Sequence, residues 1–309
     1  MTKRMIIAGG SGFVGGDLKQ RAKAAGYEVT ILGRSAGQGV ERWDPVAASH
    51  QDTAAIAHIA NVFEGADAIV NLAGASIGHG RVDAAHKAKV IGSRVEATRA
   101  TAYAIAATKQ KPRVWLNASA TGYYGDTGED RCDEQHPPGN IFLCEVCTTW
   151  EREAMQGHAA IEKDAPRLVI ARIGIVFDKG SEAWSKMAVP IRLGVAGPLG
   201  SGKQWMAWIS LPDLGDGLMH LIANDAAKGP FNLVAPEAIR QIDLVKQAAR
   251  ALKRPAFLPA PAFGLKLILG SELAKNLILS SCYAVPRGLE ALGYRFRHPR
   301  FSDLLPSLL

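Results

Sequence analysis

Regularly spaced glycines near the start of the chain are the residues best suited to chemistry. Gly9, Gly12 and Gly15 follow the apolar run 5–8 and precede a helix-compatible segment, 17–25. Such a turn lets the chain reverse sharply, lets a pyrophosphate approach the backbone and lets the helix pack closely on the strand. The free N–H groups and the positive dipole end of the helix then meet the phosphates. We therefore predict a dinucleotide site formed by Gly9, Gly10, Ser11, Gly12, Phe13, Val14 and Gly15.

The end of the second predicted strand, 27–32, indicates which dinucleotide binds. A bare glycine-rich turn is the alternative to a ligand site, but a strand arriving where a βαβ unit needs one favours the site. In sites that prefer NAD an acidic residue here holds the ribose 2′-OH, whereas an arginine suits a 2′-phosphate. The residues present are Gly33 and Arg34, and no Asp or Glu occurs between Arg34 and Glu41. We predict NADP(H) as the cofactor, with a solvated loop arginine as the alternative.

Small residues follow the fourth predicted strand, where the backbone would pack on the cofactor. The stretch 67–74 ends in Leu72, Ala73 and Gly74, which leave little side-chain volume at a strand's carboxyl end. A long helix predicted over 82–108 carries Arg94 in its first half. Arg94 either reaches back to the phosphates or is one more exposed charge, and the pattern does not separate the two.

The fifth predicted strand, 113–119, ends in a stretch rich in hydroxyls and glycines. Ala118 and Ser119 close the strand, and Tyr123 and Tyr124 follow. This is the position at which a nicotinamide ring should lie, so we predict that Ala118 contacts the cofactor and that Ser119 faces the reacting groups.

Motifs spread over essentially the whole chain fit one family pattern: the glycine turn 9–15, the stretch 71–74, the stretch 119–125, Cys147-Thr148-Thr149-Trp150-Glu151, the runs 190–194 and 197–202, Trp208-Ile209 and the run 229–236. With them the chain resembles an extended short-chain dehydrogenase/reductase. More narrowly it resembles the atypical epimerase-family branch, and a C-terminal module typical of that branch extends from about residue 254.

One departure from the family pattern concerns catalysis. Active members of the superfamily use a Ser or Thr, a Tyr and a Lys four residues after the Tyr. None of the six tyrosines has a lysine at that spacing. Aligned on Glu151, the Tyr and Lys positions hold Leu143 and Cys147, so only Ser119 matches. If chemistry occurs, the resemblance leaves Tyr124 or Tyr123 as the candidate acid, with Ser119 orienting the substrate; the alternative is that both tyrosines pack the cleft.

Other local patterns do not predict sites. Cys144 and Cys147 have redox-motif spacing, but they lie within a predicted helix and without a second pair for zinc. The run 197–204 nearly spells a P-loop, yet Gln204 replaces the Ser or Thr that would hold Mg²⁺, so we interpret it as a substrate-side loop. The acidic loop 126–136 lacks a ligand spacing, and we predict no metal.

Composition limits the class of protein. The chain has 309 residues, a net charge of +7 and four cysteines. Unevenly spaced cysteines and the lack of a signal-peptide pattern predict a reducing, cytoplasmic location. Three charges interrupt the apolar segment 263–285, so no membrane span is expected. The basic residues are dispersed, which argues against nucleic acid and leaves an anionic ligand as the functional interpretation. A homodimer is expected only by analogy with relatives.

The predicted fold is α/β: a Rossmann-type doubly wound parallel sheet with a smaller C-terminal α/β substrate lobe. We predict the cofactor domain over 1–177 and the substrate lobe over 178–309, of which 228–236 could rejoin the main sheet. The predicted function is an NADP-dependent oxidoreductase or nucleotide-sugar-epimerase-like enzyme of unknown substrate. A non-catalytic NADP(H)-binding sensor or scaffold is the alternative.

Overall fold

The structure, a computed structural model, describes residues 2–78, 83–263, 274 and 278–309. In chain order the strands and helices of these residues are β1 (Arg4–Ala8), α1 (Phe13–Ala24), β2 (Glu28–Gly33), β3 (Val40–Arg42), α2 (Pro45–Ser49), α3 (Thr53–Phe63), β4 (Ala68–Asn71), α4 (Ala84–Ala107), β5 (Val114–Ala120), β6 (Arg131–Cys132), α5 (Phe142–Ala159), β7 (Arg167–Ile173), β8 (Ile175–Phe177), α6 (Glu182–Arg192), β9 (Trp205–Met206), β10 (Trp208–Ser210), α7 (Leu211–Ala223), β11 (Gly229–Leu233), β12 (Ile239–Arg240), α8 (Gln241–Ala251), β13 (Tyr283–Ala284), α9 (Arg287–Ala291) and α10 (Phe301–Leu308).

Seven parallel strands form the central sheet, in the order β11-β7-β5-β4-β1-β2-β3. The predicted doubly wound α/β fold is therefore confirmed. Because β1 lies between β2 and β4, the order of the strands reverses at the carboxyl end of β1. In open α/β sheets this switch point is the place where ligands bind.

Helices on both faces explain why the central strands are continuous apolar runs. On one face α1 and α7 pack Leu18, Leu214 and Leu218 against the sheet. On the other face α3 and α4 contribute Ile59 and Ile105 to a second core. A parallel sheet covered on both sides needs hydrophobic residues at successive positions, and Met5 to Ala8 in β1 and all of β4 are accordingly buried.

Part of the second half of the chain belongs to the main sheet. Strand β11 pairs with β7, where it forms the edge of the main sheet, and α7 packs on α1. The stretch 167–177 forms two strands, β7 and β8, because the chain leaves the sheet at Gly174. A Cβ atom at Gly174 would lie 2.8 Å from the carbonyl oxygen of Ala207.

Helices α6, α8 and α10 form a smaller lobe with its own aromatic core. The ring of Phe177 stacks on Trp208 with centroids 6.2 Å apart, and Phe301 of α10 meets Trp208 edge-on at 5.6 Å. The indole of Trp184 donates to the carbonyl oxygen of Leu308 at 3.1 Å. The end of the chain thus completes the hydrophobic core of this lobe.

Buried Asp213 joins the C-terminal segment to the helix layer. Its carboxylate accepts hydrogen bonds from the backbone N–H groups of Arg297 at 2.7 Å and His298 at 2.9 Å. It also accepts from the hydroxyls of Ser210 at 2.7 Å and Tyr294 at 3.2 Å. A carboxylate with no exposed surface is stable only with such a set of donors.

No helix in the described part of the chain has the length and hydropathy to cross a membrane. Most of the apolar segment 263–285 lies outside the described residues.

Candidate functional site

The turn between β1 and α1 is built on glycines that a larger residue could not replace. Gly9 has a φ of +78°, and a Cβ atom there would lie 2.9 Å from backbone atoms of Leu72 and Ala73. A Cβ atom at Gly15 would lie 2.5 Å from the carbonyl oxygen of Gly9. The helix therefore rests on the turn, and the turn rests on the loop after β4. Two of the predicted contact regions, 9–15 and 72–74, are in this way brought together.

The first turn of α1 presents bare backbone donors. An α-helix leaves its first N–H groups without partners inside the helix, and Gly12, the N-cap residue, has no side chain to bond them. Ser11 and Phe13 are exposed beside this end, whereas Val14 packs against the core. The helix end is thus open to an anion.

Arg34 lies at the same edge of the sheet. Strand β2 pairs with β1 so that Leu32 faces Ala8, and the N–H of Gly9 points to the carbonyl of Leu32. Gly33 ends the strand where a Cβ atom would lie 2.8 Å from Val40 Cγ1. The exposed Arg34 follows directly and has no carboxylate partner among the described residues. A 2′-phosphate at this edge would meet an unpaired guanidinium.

Arg94 contacts the loop after β4, and none of its described contacts is with the turn 9–15. It is buried, donates from Nη1 to the carbonyl oxygens of Ala75 at 3.0 Å and Val90 at 2.9 Å, and lies 4.8 Å from the ring centroid of Trp150. Its Nε has no hydrogen-bond partner among the described residues. Burial lowers the pKa of this guanidinium.

Gly74 is small for a reason that the sequence pattern did not give. A Cβ atom at Gly74 would lie 3.0 Å from Arg94 Cζ. The absence of a side chain at Gly74 therefore leaves room for Arg94 beneath the loop. The prediction that both residues contact the cofactor stays a prediction.

A buried hydrogen-bond network lies at the carboxyl ends of β5 and β7. Ser119 Oγ donates to Glu151 Oε1 at 2.6 Å. Arg172 donates from Nε to Oε1 at 2.9 Å and from Nη2 to Oε2 at 2.8 Å of the same carboxylate. Ser119 and Arg172 are register partners on neighbouring strands, and Ser119, Glu151 and Arg172 are each at most 4% exposed as whole residues. Ala118, one residue earlier, is buried in β5.

The charges of this network balance each other. Burial alone would lower the pKa of Arg172, but the hydrogen bonds and the charge of Glu151 outweigh it, so the pKa is raised above its ordinary value. The ring of Tyr123 covers the guanidinium, with its centroid 3.5 Å from Arg172 Cζ. Glu151 is the partner that sequence analysis missed, because there it served only to align the motif.

Tyr124 is enclosed rather than open to a substrate. Its hydroxyl donates to Asn232 Oδ1 at 2.7 Å and accepts from Arg172 Nη1 at 3.0 Å, and the carbonyl oxygen of Asp133 lies 3.0 Å away. Its side chain is 1% exposed, and burial raises the pKa of the phenol. This geometry gives Tyr124 the role of a structural hydroxyl and does not favour the predicted role of an acid. Tyr123 is half-buried, and its hydroxyl has no hydrogen bond within the described part of the chain.

We expect Tyr124→Phe to destabilise the fold by about 1–3 kcal/mol, because Asn232 and Arg172 each lose a buried partner. Urea unfolding of the purified protein measures this loss. Tyr123→Phe removes a hydroxyl without such partners and serves as the matched control, with little change expected. Equal losses in the two variants would contradict the structural role of Tyr124.

One face of α5 replaces the residues on which the family's chemistry rests. Leu143, Cys147 and Glu151 are spaced by four residues and therefore lie on one side of the helix. A Cβ atom at Gly122 would lie 3.1 Å from Leu143 Cβ and 3.6 Å from Cys147 Sγ. Burial raises the pKa of Cys147 to about 12, so its thiol is neutral at pH 7. Neither side chain can transfer a proton in place of a tyrosine or fix a charge in place of a lysine.

A cavity of about 830 Å³ opens on the outer side of the network. Tyr123, Glu151 and Arg172 line its inner end, and Arg113 and Lys228 are among the residues at the opposite ends of the strands. The walls between them are the sheet and α5. Glu151 is therefore flanked by Ser119 on one side and by this cavity on the other.

The acidic loop 126–136 after β5 contacts Tyr124 and Arg172 and is attached to later parts of the chain. Strand β6 pairs with β13, and Ser281 both donates to the carbonyl oxygen of Gly128 at 2.6 Å and receives a bond from Thr127. Glu129 accepts hydrogen bonds from Arg240 at 2.8 Å and from the indole of Trp205 at 3.0 Å. Glu129, an acidic residue of the loop, is thus used for attachment. Among the described residues no group of three or more His, Cys, Asp or Glu side chains could hold a metal ion.

The P-loop-like run 197–204 lies against the backbone of Leu258 and Ala260. Gln204 Nε2 donates to the carbonyl oxygens of Leu199 at 3.1 Å and Ile278 at 2.9 Å. These bonds fix the loop internally, and no helix follows it directly as a P-loop requires. The interpretation as a substrate-side loop stays a prediction.

Comparisons with known proteins agree with this architecture. A family model described as NAD dependent epimerase/dehydratase family matches residues 5–234, and a model described as Domain of unknown function (DUF1731) matches residues 260–307. The chain is 34% identical over 310 residues to "Epimerase family protein SDR39U1" from Bos taurus, with 99% of each chain covered.

Solved structures give the same result. The "Crystal Structure of human epimerase family protein SDR39U1 (isoform2) with NADPH" superposes with a TM-score of 0.87 at 32% identity, covering 99% of both chains. The structure of "MoeE5 in complex with UDP-glucuronic acid and NAD" has a TM-score of 0.76 at 18% identity, covers 98% of this chain and 97% of its own, and shows likeness of fold alone.

Proposed function

Because the chain belongs to the NAD dependent epimerase/dehydratase family, we propose that it binds NADPH and transfers hydride between this cofactor and a small molecule. The enzyme would act as an oxidoreductase or as an epimerase-like protein. Its substrate is left open, because function depends on the site and not on the fold.

The glycine turn is the observation that carries this proposal. The turn has no room for side chains at Gly9 and Gly15, its helix end offers bare N–H groups, and Arg34 stands unpaired at the neighbouring strand end. A pyrophosphate fits the first two features and a 2′-phosphate fits the third. The residues therefore suit NADPH better than NADH. The NADPH in the crystal structure of the human relative gives independent support at 32% identity.

The residues proposed to hold the cofactor share one edge of the sheet or the loops next to it: Gly9, Gly10, Ser11, Gly12, Phe13, Val14, Gly15, Gly33, Arg34, Leu72, Ala73, Gly74, Arg94 and Ala118. The bound cofactor would supply or accept a hydride. Ser119 is placed at the strand end where the nicotinamide should lie. We also propose a cytoplasmic location, which the four free thiols support.

A non-catalytic NADPH-binding sensor is the second candidate. It is favoured by Leu143 and Cys147 at the two positions where a proton donor and a fixed cation are expected, and by the enclosed hydroxyl of Tyr124. Cofactor binding is common to both candidates, so turnover is the property that separates them.

We expect Arg34→Ala to weaken NADPH binding by about 10–100-fold, since a charge-assisted hydrogen bond contributes about 1.5–3 kcal/mol. Binding of NADH, which lacks the 2′-phosphate, should stay unchanged. Titration by fluorescence quenching and by thermal shift measures both affinities. Arg192→Ala, which removes another exposed arginine in the smaller lobe, is the control. No binding of either dinucleotide by the unmodified protein would reject the proposed function.

A further inference from the structure

The hydroxyl proton of Ser119 is already donated to Glu151. Its Oγ donates to Glu151 at 2.6 Å, and a hydroxyl has only one proton to give. The oxygen lone pairs of Ser119 are therefore the part of this hydroxyl that is left to meet a substrate. A group that binds there must itself donate a hydrogen bond, as an alcohol does and a ketone does not.

Glu151 is held as an ionised acceptor behind that serine. Arg172 contacts both carboxylate oxygens, and the ring of Tyr123 lies over one face of the guanidinium. The other groups near this pair do not compete for the proton: Cys147 is a neutral thiol, and Tyr124 gives its own proton to Asn232. The carboxyl group of Glu134 faces away, accepting from the backbone of Asn232 and Gly288.

The position of Glu151 matches the gap in the family pattern. It lies one helical turn after Cys147 and two turns after Leu143, on the same side of α5. The face that lacks a tyrosine and a lysine thus carries a carboxylate that touches Ser119. The cavity of about 830 Å³ reaches Glu151 from its other side and gives a route for proton exchange with solvent.

We propose that Glu151 is the proton acceptor for a substrate hydroxyl, reached through Ser119. In the oxidation direction the substrate O–H proton passes to Ser119 Oγ while the proton of Ser119 passes to Glu151 Oε1. The C–H bond of the same carbon breaks as hydride leaves for the oxidised dinucleotide, and the C=O bond forms. Reduction runs through the same steps in reverse: it starts from the form in which Glu151 carries the proton, so that Ser119 donates to the carbonyl oxygen of the substrate. This inference rests on the proposed function and names its substrate class, a primary or secondary alcohol and the matching carbonyl compound.

The experiment uses the full-length protein and three variants of the network. Ser119→Ala removes the relay and keeps the Glu151–Arg172 pair, so it stays informative if Glu151→Gln is too unstable to purify. Ser119→Thr restores a hydroxyl and tests rescue. Two controls repeat the atomic changes elsewhere: Ser49→Ala deletes a serine hydroxyl in α2, and Glu153→Gln neutralises a carboxylate of α5 that pairs with Arg99.

The experiment measures two quantities on each protein and one difference between two proteins. They are the Kd for NADPH, the turnover of a panel of small alcohols with NADP⁺ and of ketones, aldehydes and quinones with NADPH, and the infrared difference spectrum between the unmodified protein and Glu151→Gln. We expect Ser119→Ala and Glu151→Gln to lose at least about 100-fold in turnover, as removal of acid–base catalysis does, with Kd unchanged. We expect Ser119→Thr to recover turnover, both controls to keep it, and the spectrum to show loss of an ionised carboxylate.

Undiminished turnover in Ser119→Ala or Glu151→Gln would overturn this inference. So would an infrared band of a protonated carboxyl group at Glu151 in the protein without cofactor or substrate, or an unmodified protein that binds NADPH and turns over no member of the panel. In the last case the proposal of NADPH binding stands. A protein that binds no NADPH overturns the proposed function instead, and the Kd measurement tells the two failures apart.

Discussion

Gly15→Ala should destabilise the protein by about 1–3 kcal/mol and weaken NADPH binding about tenfold or more. The added methyl carbon would lie 2.5 Å from the carbonyl oxygen of Gly9 and 2.6 Å from Gly10 Cα. Both contacts are backbone atoms, which cannot move aside as a flexible side chain can. The helix must therefore withdraw from the turn, and its N–H groups leave the positions that a pyrophosphate needs. Denaturant unfolding and an NADPH titration measure the two losses.

Gly16→Ala is the matched control for that substitution. It makes the same chemical change one residue later in the same helix, but a Cβ atom at Gly16 meets nothing within 4 Å. Since alanine favours a helix over glycine by about 1 kcal/mol, this variant should be as stable as the parent or more so. Equal loss of NADPH affinity in both variants would show that the close contact of Gly15 with the turn is not what the site requires.

Asp213→Ala should lower the free energy of unfolding by about 3–5 kcal/mol, as loss of a buried, fully bonded charge does. The substitution leaves two backbone N–H groups, at Arg297 and His298, without their acceptor, together with the hydroxyls of Ser210 and Tyr294. The segment 294–298 should then detach from α7. Hydrogen exchange at its amides, together with urea unfolding, measures the effect.

The control for Asp213→Ala is Asp225→Ala. Asp225 also pairs with a basic residue, Arg113, at 3.0 Å, but its side chain is 75% exposed. An exposed pair of this kind contributes about 0–1 kcal/mol. If the two aspartates proved equally dispensable, the carboxylate of Asp213 could not be the anchor of the C-terminal segment.

Local chemistry made the nucleotide end of the site predictable. The turn at Gly9 needs a positive φ, and Gly15 needs a bare backbone, so both requirements are written into neighbouring residues. The end of β2 is likewise placed by one βαβ unit. For these reasons the parallel sheet, the turn and the position of Arg34 follow from short stretches of sequence.

The arrangement around Ser119 depended on contacts between distant residues. Glu151 meets Ser119 across 32 positions and Arg172 across 21, and no periodicity marks such partners. The orientation of Tyr124 was equally hidden, because its acceptor Asn232 lies 108 residues further on. A pattern places a residue at a strand end, but only packing decides whether its polar group faces the cleft or the core.

The packing of α7 was hidden for the same reason, whereas the return of 228–236 to the main sheet was allowed for in the prediction. The apolar faces of α7 and β11 show that they are buried, but not against which layer. Both join the main sheet, although the chain first visits the smaller lobe. Gly74 is a milder case, in which a small residue was correctly noticed and its cause, the guanidinium of Arg94, lay in another helix.

The acidic loop 126–136, which contacts Tyr124 and Arg172, has a consequence for how the protein forms during its synthesis. Its attachment joins Asp126 to Ser281 across 155 residues. At a synthesis rate of about 5–20 residues per second the ribosome needs about 8–30 s to produce the second partner after the first. During that interval the nascent chain already carries the glycine turn and β5, while the loop above them is untied. A dinucleotide that meets the emerging chain would find the phosphate end of its site before the end at which Ser119 lies.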